Sequence, residues 1–338
     1  MTKKGHEPLP GQPVSIASVA RRAGVSIATV SRVINGVANK ASPDTVARVR
    51  EAVAALDYRP SSAGKSLRQK QSRLVAVLAA NLANPTMAAI AASAEVALRE
   101  RELVMVLCDT HDRPELQDEY LREMRAQQAR AIVLLGAVQS PLLDAFRLGQ
   151  TPLVFVNRVD PGATESRFVG IDNRAAGRDV ALHALGRGIV RPAVIHAPLT
   201  SSATRARVEA IVETYAQAGH PIPPERQLGP RGEDHLRIGF NAVRQMTEAG
   251  TRCDACICTG DLIAFGARRA MSEAQAPVDR MAFYGFDDNP LNDWVAPWLT
   301  SVRIPYDAYG RAIVELIDDE APAVPAQRIL RYALIVRP

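Results

Sequence analysis

The sequence predicts a small α-helical unit of helix-turn-helix layout followed by an α/β core of two doubly wound parallel-sheet lobes. Three observations carry this. Residues 15–36 hold two short amphipathic stretches joined by Gly24. From residue 73 onward, apolar runs of strand length alternate with turn residues and helical stretches. Charge is also divided unevenly: residues 1–73 hold 13 Lys or Arg against 4 Asp or Glu, a net +9, whereas the remainder carries −4. A basic module on a neutral-to-acidic partner domain is the electrostatic footprint of nucleic-acid binding. At 338 residues the chain is long enough for more than one core.

Taken in order, residues 1–13 (MTKKGHEPLPGQP) lack the apolar stretch of a secretion signal and read as a disordered tail. No run reaches membrane-spanning length, which sets a cytoplasmic expectation. The helical unit is expected over 14–59. In its first helix Ile16, Val19, Ala20 and Ala23 share one face, and Gly24 ends it, because a residue without Cβ takes the left-handed conformation cheaply. Ser26 is placed to cap the second helix, whose inward stripe is Val30, Val33 and Ile34; Ile27, Ala28, Ser31 and Arg32 are left outward. Ser42 and Pro43 open a third helix with Val46, Val49, Val53 and Leu56 on its apolar face. Residues 60–72 (PSSAGKSLRQKQS) are polar, basic and small, as a hinge requires. The runs RLVAVLAA, LVMVLCDT, AIVLLG and PLVFVNR then give a first lobe, and FVGIDN, RPAVIHA, ACICTG and MAFYGFDD a second. Of the four cysteines (108, 253, 256 and 258), Cys256 and Cys258 alternate with Ala255 and Ile257 in a buried strand. With no accompanying His or second Cys pair, they read as reduced structural thiols, and no metal or cofactor is expected.

The string A-x-x-A-G followed by V-S-x-x-T-V-S-R-V-I-N (residues 20–35) resembles the headpiece of the LacI family of bacterial transcription regulators. The resemblance continues through SPDTVARVREAVAALDYRP, the hinge and the α/β region to about residue 336. It implies a core like that of periplasmic sugar-binding proteins, covering residues 73–338. The chain would cross between lobes, with SVRIPYDAYGRAIVELI returning to the first and the last strand to the second. That gives lobes of about 73–165 plus 300–325 and about 166–299 plus 326–338. No leucine heptad follows residue 320, so a dimer is expected.

The resemblance also implies a DNA site. Arg32 matches the position that donates to a guanine, for which a bidentate fork is suited; a phosphate clamp is the alternative. Ile27 and Ala28 match the positions that choose base sequence, and they offer only apolar contact to thymine methyls and shape. Ser26 and Thr29, at the helix start, suit phosphate oxygens and serve equally as caps. Ser31 supports base reading and Asn35 finishes the helix against the DNA backbone. Ser18 replaces the usual Asp, a small loss of capping. Leu67, the one large apolar residue of the hinge, matches the Leu that wedges into the minor groove. Gly64 stands where Ala is usual, costing a folded hinge roughly 1 kcal/mol.

Open α/β lobes bind ligands at the carboxyl ends of their strands. This selects Asn81 and Asn84, Asp109, Asn157 with Arg158, and Asp287 with Asp288. The resemblance adds Arg207 and Asp261, points again at Asp287, and places Thr86 and Met87 where aromatics often stack on a sugar. Asp261 also fits a helix cap, Asp287 turn chemistry, and Arg207 a solvated helix face. Gly260 replaces an Asn and Asn157 an Asp, so the cleft loses stacking and an acceptor charge while keeping two arginines. A sugar acid thereby joins neutral sugars as an expected effector. The function implied is a repressor on a palindromic operator, tuned by that effector. The alternatives are a solute-binding protein without a DNA role and a dual activator/repressor. An enzyme is disfavoured, since no G-x-G-x-x-G, P-loop or G-x-S-x-G stands at a strand-to-helix turn.

Overall fold

The computed structural model describes residues 14–35, 41–58, 72–163, 166–232, 234–275, 278, 281–319 and 326–337. The expectations for the tail 1–13 and for Gly64 and Leu67 of the hinge lie outside these residues. The chain divides into two compact units, Met1–Ser72 and Arg73–Pro338.

The N-terminal unit holds α1 (Ile16–Ala23), α2 (Ile27–Ile34) and α3 (Pro43–Ala55). Each begins on a serine in extended backbone whose hydroxyl accepts the amide three residues on: Ser15 from Ser18, Ser26 from Thr29 and Ser42 from Thr45. Each of these serines also pairs hydroxyl to hydroxyl with that residue, at 3.1, 2.9 and 2.9 Å. At α1 this offsets the missing Asp, since the Ser18 hydroxyl is part of the cap. Gly24 ends α1 at φ 62°, ψ 37°, the left-handed turn that frees α2 to change direction. Val19, Ala20, Ala23, Val30, Val33, Val49 and Ala52 form the buried core, with Ile34 half-buried at its edge.

The second unit runs β1 (Leu74–Ala79), α4 (Pro85–Glu100), β2 (Val104–Asp109), α5 (Pro114–Ala126), β3 (Ala131–Leu135), α6 (Pro141–Arg147), β4 (Leu153–Val156) and β5 (Arg167–Ile171). It continues with α7 (Asn173–Gly186), β6 (Pro192–Ile195), α8 (Ser202–Gln217), β7 (Gln227–Leu228), α9 (His235–Glu248), β8 (Ala255–Cys258), α10 (Asp261–Glu273) and β9 (Ala282–Asp287). The last elements are α11 (Asn292–Val295), β10 (Leu299–Arg303), α12 (Tyr306–Asp318), β11 (Gln327–Leu330) and β12 (Ala333–Ile335). One sheet has the order β11-β5-β4-β3-β1-β2, parallel throughout. The other, β12-β10-β9-β8-β6-β7, is parallel except for β12. Central strands such as β3 and β8 are buried at every position, as helices on both faces demand.

The lobe boundaries differ from the sequence reading. FVGI, taken as the start of the second lobe, is β5 and pairs with β4 in the first sheet. The stretch from 300 was assigned to the first lobe, but β10 pairs with β9 in the second. The C-terminal segment is divided, β11 joining the first sheet and β12 the second. The reason is physical: a fully apolar run carries no mark of which sheet it will join. Among the described residues between β4 and β5 there is no helix to signal the continuing rhythm.

Candidate DNA-reading face and interlobe cleft

On α2, Ser26, Ile27, Ala28, Arg32 and Asn35 are exposed, and Thr29 and Ser31 are half-buried. Ile27 is 51% exposed, a large apolar side chain held out at the first turn of a helix whose Val30 is fully buried. The Ser26 hydroxyl accepts from the Thr29 amide at 3.1 Å, so these two residues define the helix start. Asn35 closes the other end, its Nδ2 donating to the Ser31 carbonyl at 2.6 Å and to its hydroxyl at 3.3 Å. Arg22, exposed in the last turn of α1, is a further cation that sequence reasoning did not single out; a charge at a helix C-terminus is too common to mark one.

In the second unit the predicted effector residues meet at the carboxyl ends of the strands, with different fates. Asn84 caps α4, its Oδ1 accepting from the Thr86 amide at 3.0 Å. Asn81 is likewise occupied by the Ala83 amide at 2.9 Å. Thr86 is buried and its hydroxyl lies 3.3 Å from that of Tyr306, which donates to the Asp287 carbonyl at 2.6 Å. This chain of contacts links α4, the start of α12 and the end of β9 across the lobes. Asp109 uses both oxygens to brace loops, accepting from the Leu82 and His111 amides at 2.9 Å each. Arg158 is paired through both terminal nitrogens with Asp112. Asn157, in the left-handed region at φ 67°, keeps a buried Oδ1 with no hydrogen-bond partner.

From the second lobe, Arg207 is buried rather than solvated. Its Nε donates to Asn173 Oδ1 at 2.7 Å and its Nη1 to the Thr259 carbonyl at 2.9 Å, with the guanidinium 4.3 Å from the Phe286 ring centroid. Burial pulls its pKa down, opposed first by the charge of Asp287. Asp261 accepts from Ser301 Oγ at 2.6 Å, Asn292 Nδ2 at 2.7 Å and the Asn289 amide at 3.4 Å. Burial and the neighbouring Asp287 push its pKa up to about 8. Burial also raises Asp287, to about 6, the nearby Arg207 and the Thr86 hydroxyl holding it lower than burial alone would. Gly285 makes this cluster possible, for a Cβ there would stand 2.2 Å from Asp261 Oδ1. Asp288 is not part of the cleft: it holds Arg303 at 2.6 Å and Arg337 at 2.7 Å.

Asn84, Thr86, Asp261 and Asp287 line one cavity of about 110 Å³ between the lobes. Phe265 and Leu262 line it too, with Pro85, Asn289, Leu291, Asn292 and Val295, so α10 supplies an aromatic wall although Thr86 and Met87 do not. Asp109, Asn157, Arg158 and Arg207 lie outside that cavity. Gly260 leaves room beside it, since a Cβ would still be 3.7 Å from Asp287 Oδ2 and 3.8 Å from His235 Nδ1.

Four residues were missed. Asn173 stands one residue past β5, after Asp172, and obeys the end-of-strand rule. His235, whose pKa is lowered by burial and then by Arg158, opens α9. Tyr306 and Tyr309 lie on α12; Tyr309 is fully buried and its hydroxyl has no partner. Sequence marks Tyr309 only as inward-facing. Among the described residues no cluster of three or more His, Cys, Asp or Glu could hold a metal, and no helix is long and apolar enough to cross a membrane.

Comparison with known proteins accounts for both units. Residues 15–61 match the family described as bacterial regulatory proteins, lacI family. Residues 72–316 match the periplasmic binding proteins and sugar binding domain of LacI family. The chain is 30% identical over 310 residues to the HTH-type transcriptional regulator GntR of Pseudomonas aeruginosa, covering 90% of this chain and 88% of the relative. It is 29% identical over 308 residues to the ribose operon repressor of Escherichia coli K12, covering 90% and 92%. The fold superposes with a TM-score of 0.79 on the lac repressor dimer bound to operator and the anti-inducer ONPF, at 23% identity, covering 96% of this chain and 98% of that one. The complex of the transcriptional regulator CelR with cellobiose gives 0.70 at 26% identity, covering 96% and 99%. The chain belongs to the LacI family of bacterial regulatory proteins and is a DNA-binding transcription regulator.

Proposed function

We propose that this regulator is a cytoplasmic repressor, without catalytic activity, that grips a palindromic operator as a dimer and is tuned by a sugar or sugar acid in the interlobe cleft. On DNA, Arg32 reads a guanine, Ile27, Ala28 and Ser31 contact neighbouring base edges, and Ser26, Thr29 and Asn35 hold phosphates. Leu67 is the minor-groove wedge.

The observation that carries the effector reading is the polar interlobe cavity lined by Asn84, Thr86, Asp261 and Asp287. Outside that wall, Asn157 Oδ1 and the Tyr309 hydroxyl are buried without partners, polar groups that a hydroxyl-rich ligand satisfies when the lobes close on it. Asp109, Arg158 and Arg207 stand outside the cavity as well. The names of two relatives, the ribose operon repressor and the CelR–cellobiose complex, support a sugar. Arg207 favours an acid: Arg158 is already neutralised by Asp112, whereas the Arg207 guanidinium donates to two uncharged acceptors, Asn173 Oδ1 and the Thr259 carbonyl, and carries a charge that burial penalises. Ligand closing the lobes changes DNA affinity only insofar as it prefers one arrangement over the other.

A thermal-shift screen against sugars, polyols and sugar acids tests the effector; a ligand at about a hundred times its dissociation constant adds roughly 2.7 kcal/mol. A bound neutral hexose touching neither arginine removes the sugar-acid reading. Arg32→Ala is expected to abolish selective operator footprinting while ligand binding persists. Survival of the footprint overturns the role of α2.

A further inference from the structure

All four cysteines are free thiols, and none lines the interlobe cavity. Three of them fall within the six residues CDACIC, at and just before the start of β8. In a straight strand, residues three apart point to opposite faces. Here the chain bends at Asp254, and Cys253 packs on the face that carries Cys256, Cys258, Ala193 and Phe283.

The bend is fixed from both sides. The Asp254 amide donates to the Arg191 carbonyl at 3.0 Å, and its carboxylate accepts the Arg191 amide at 2.9 and 3.1 Å and the Val190 amide at 3.0 Å. Arg226 is anchored at the Pro192 carbonyl, 3.2 Å away, on the residue that pairs with Ala255. Cys253 is thereby held near two guanidinium groups, those of Arg226 and Arg191.

The two thiols differ in their surroundings. Cys253 is half-buried, within reach of a small reagent, whereas Cys256 is fully buried. The Cys256 S–H donates to Cys253 and pulls its thiol below the ordinary pKa; burial opposes this, and the two guanidinium groups add to the pull. The same hydrogen bond, with burial, pushes Cys256 well up, so that it keeps its proton. Oxidants select a partly exposed thiol of lowered pKa that has a second thiol at its side.

We propose that Cys253 and Cys256 form an oxidant-sensitive pair, in which a hydroperoxide oxidises Cys253 and Cys256 resolves the product into a disulfide. The Cys253 thiolate attacks one peroxide oxygen, the O–O bond breaks, and the departing alkoxide or hydroxide takes a proton from water. Sulfur has then given two electrons to the peroxide and stands as a sulfenic acid. The Cys256 sulfur attacks it, an S–S bond forms as the S–O bond breaks, and the hydroxyl leaves as water with the proton that Cys256 carried. Cellular thiols restore the pair by exchange, as befits a disulfide in a reducing compartment. The oxidised pair sits on the strand that leads to Thr259, whose carbonyl holds Arg207, and to Asp261 of the cleft.

The full chain, reduced and then freed of reductant, is treated with a small excess of hydrogen peroxide, alkylated under denaturing conditions and mapped by peptide mass spectrometry. The expected product has lost two of its four thiols: the peptide holding Cys253 and Cys256 is lighter by two hydrogens, and Cys108 and Cys258 are alkylated. Reductant added before alkylation restores all four. Cys253 should react at least about tenfold faster than Cys108, which is also half-buried but whose thiol is raised by burial. In Cys256→Ala, dimedone should capture the Cys253 sulfenic acid and no disulfide should form. In Cys253→Ala, the same dose should leave the remaining thiols intact. Retention of all four thiols, a sulfenic acid that persists at Cys253 in the unaltered chain, a disulfide involving Cys108 or Cys258, a link between two chains, or equal thiol loss in Cys253→Ala overturns the proposal.

Discussion

Replacing Tyr309 by Phe removes a single oxygen from the interior and should make the unliganded protein more stable. The side chain is fully buried and its hydroxyl has no partner, so the native state bears the desolvation of a polar group with nothing in return. Such an unmet group costs about 1–3 kcal/mol, and Phe keeps the ring and leaves no sizeable hole. We therefore expect Tyr309→Phe to stabilise the second unit by about 1–2 kcal/mol, a rise in melting temperature of roughly 2–4 °C per kcal/mol for a unit of this size. Thermal and urea unfolding without ligand measure it, and an unchanged urea slope shows that the denatured state is not the cause. The gain should shrink with effector present. If the ligand satisfies the hydroxyl, the variant loses about 1 kcal/mol of binding, roughly fivefold in affinity. A ligand-free variant that melts at or below the wild-type temperature would refute the reasoning, because it would mean the hydroxyl already has a partner.

Three further outcomes are expected. Ser26→Ala should cost the N-terminal unit about 1 kcal/mol, visible as faster amide exchange in α2 with the second unit's transition unchanged. Gly285→Ala drives a methyl group to 2.2 Å from Asp261 Oδ1 and should cost about 1–3 kcal/mol or more, together with effector binding, as read by unfolding and by titration. The stability of the ligand-free second unit should fall between about pH 4 and pH 8. Asp287 and Asp261 are raised to about 6 and about 8, so the folded state holds protons that the unfolded chain has released. Their contribution is complete below the unfolded pKa near 4 and is lost as pH rises through the two folded values. Asp261→Asn should flatten the upper part of that fall in urea midpoints.

The N-terminal unit was legible because its signals are local. Gly24, the capping serines Ser26 and Ser42 and the valine stripes each act within one turn of helix, and the structure places them as spacing alone suggests, while Ser15 is a cap that only the structure shows. The α/β rhythm was equally readable, but sheet membership was not: β5 and β10 each pair with the strand just before them and, on the other side, with β11 and β12 from the C-terminal segment, and nothing in their apolar sequence marks either choice. In the cleft, the rule of polar residues after strands found Asn84 and Asp287. It could not separate Asp287 from Asp288, adjacent carboxylates of which one faces the interlobe space and the other neutralises Arg303 and Arg337. Nor could it find Tyr306 and Tyr309, which reach the site from a helix that packs on the first lobe after the chain has returned from the second.

The three passages between lobes are very short. Asp172 alone separates β5 from α7, Ile304 and Pro305 separate β10 from α12, and Arg331 and Tyr332 separate β11 from β12. They are also neighbours, because β11 lies beside β5 in one sheet and β12 beside β10 in the other. Three taut links set side by side behave like the knuckles of a door hinge. They resist sliding, stretching and twisting, and leave swinging about a single line as the soft motion. A molecule held in the cleft therefore does not need to push on anything remote. By fixing how far the door stands open it sets one angle, and every part of each lobe is carried with that angle in proportion to its distance from the pin.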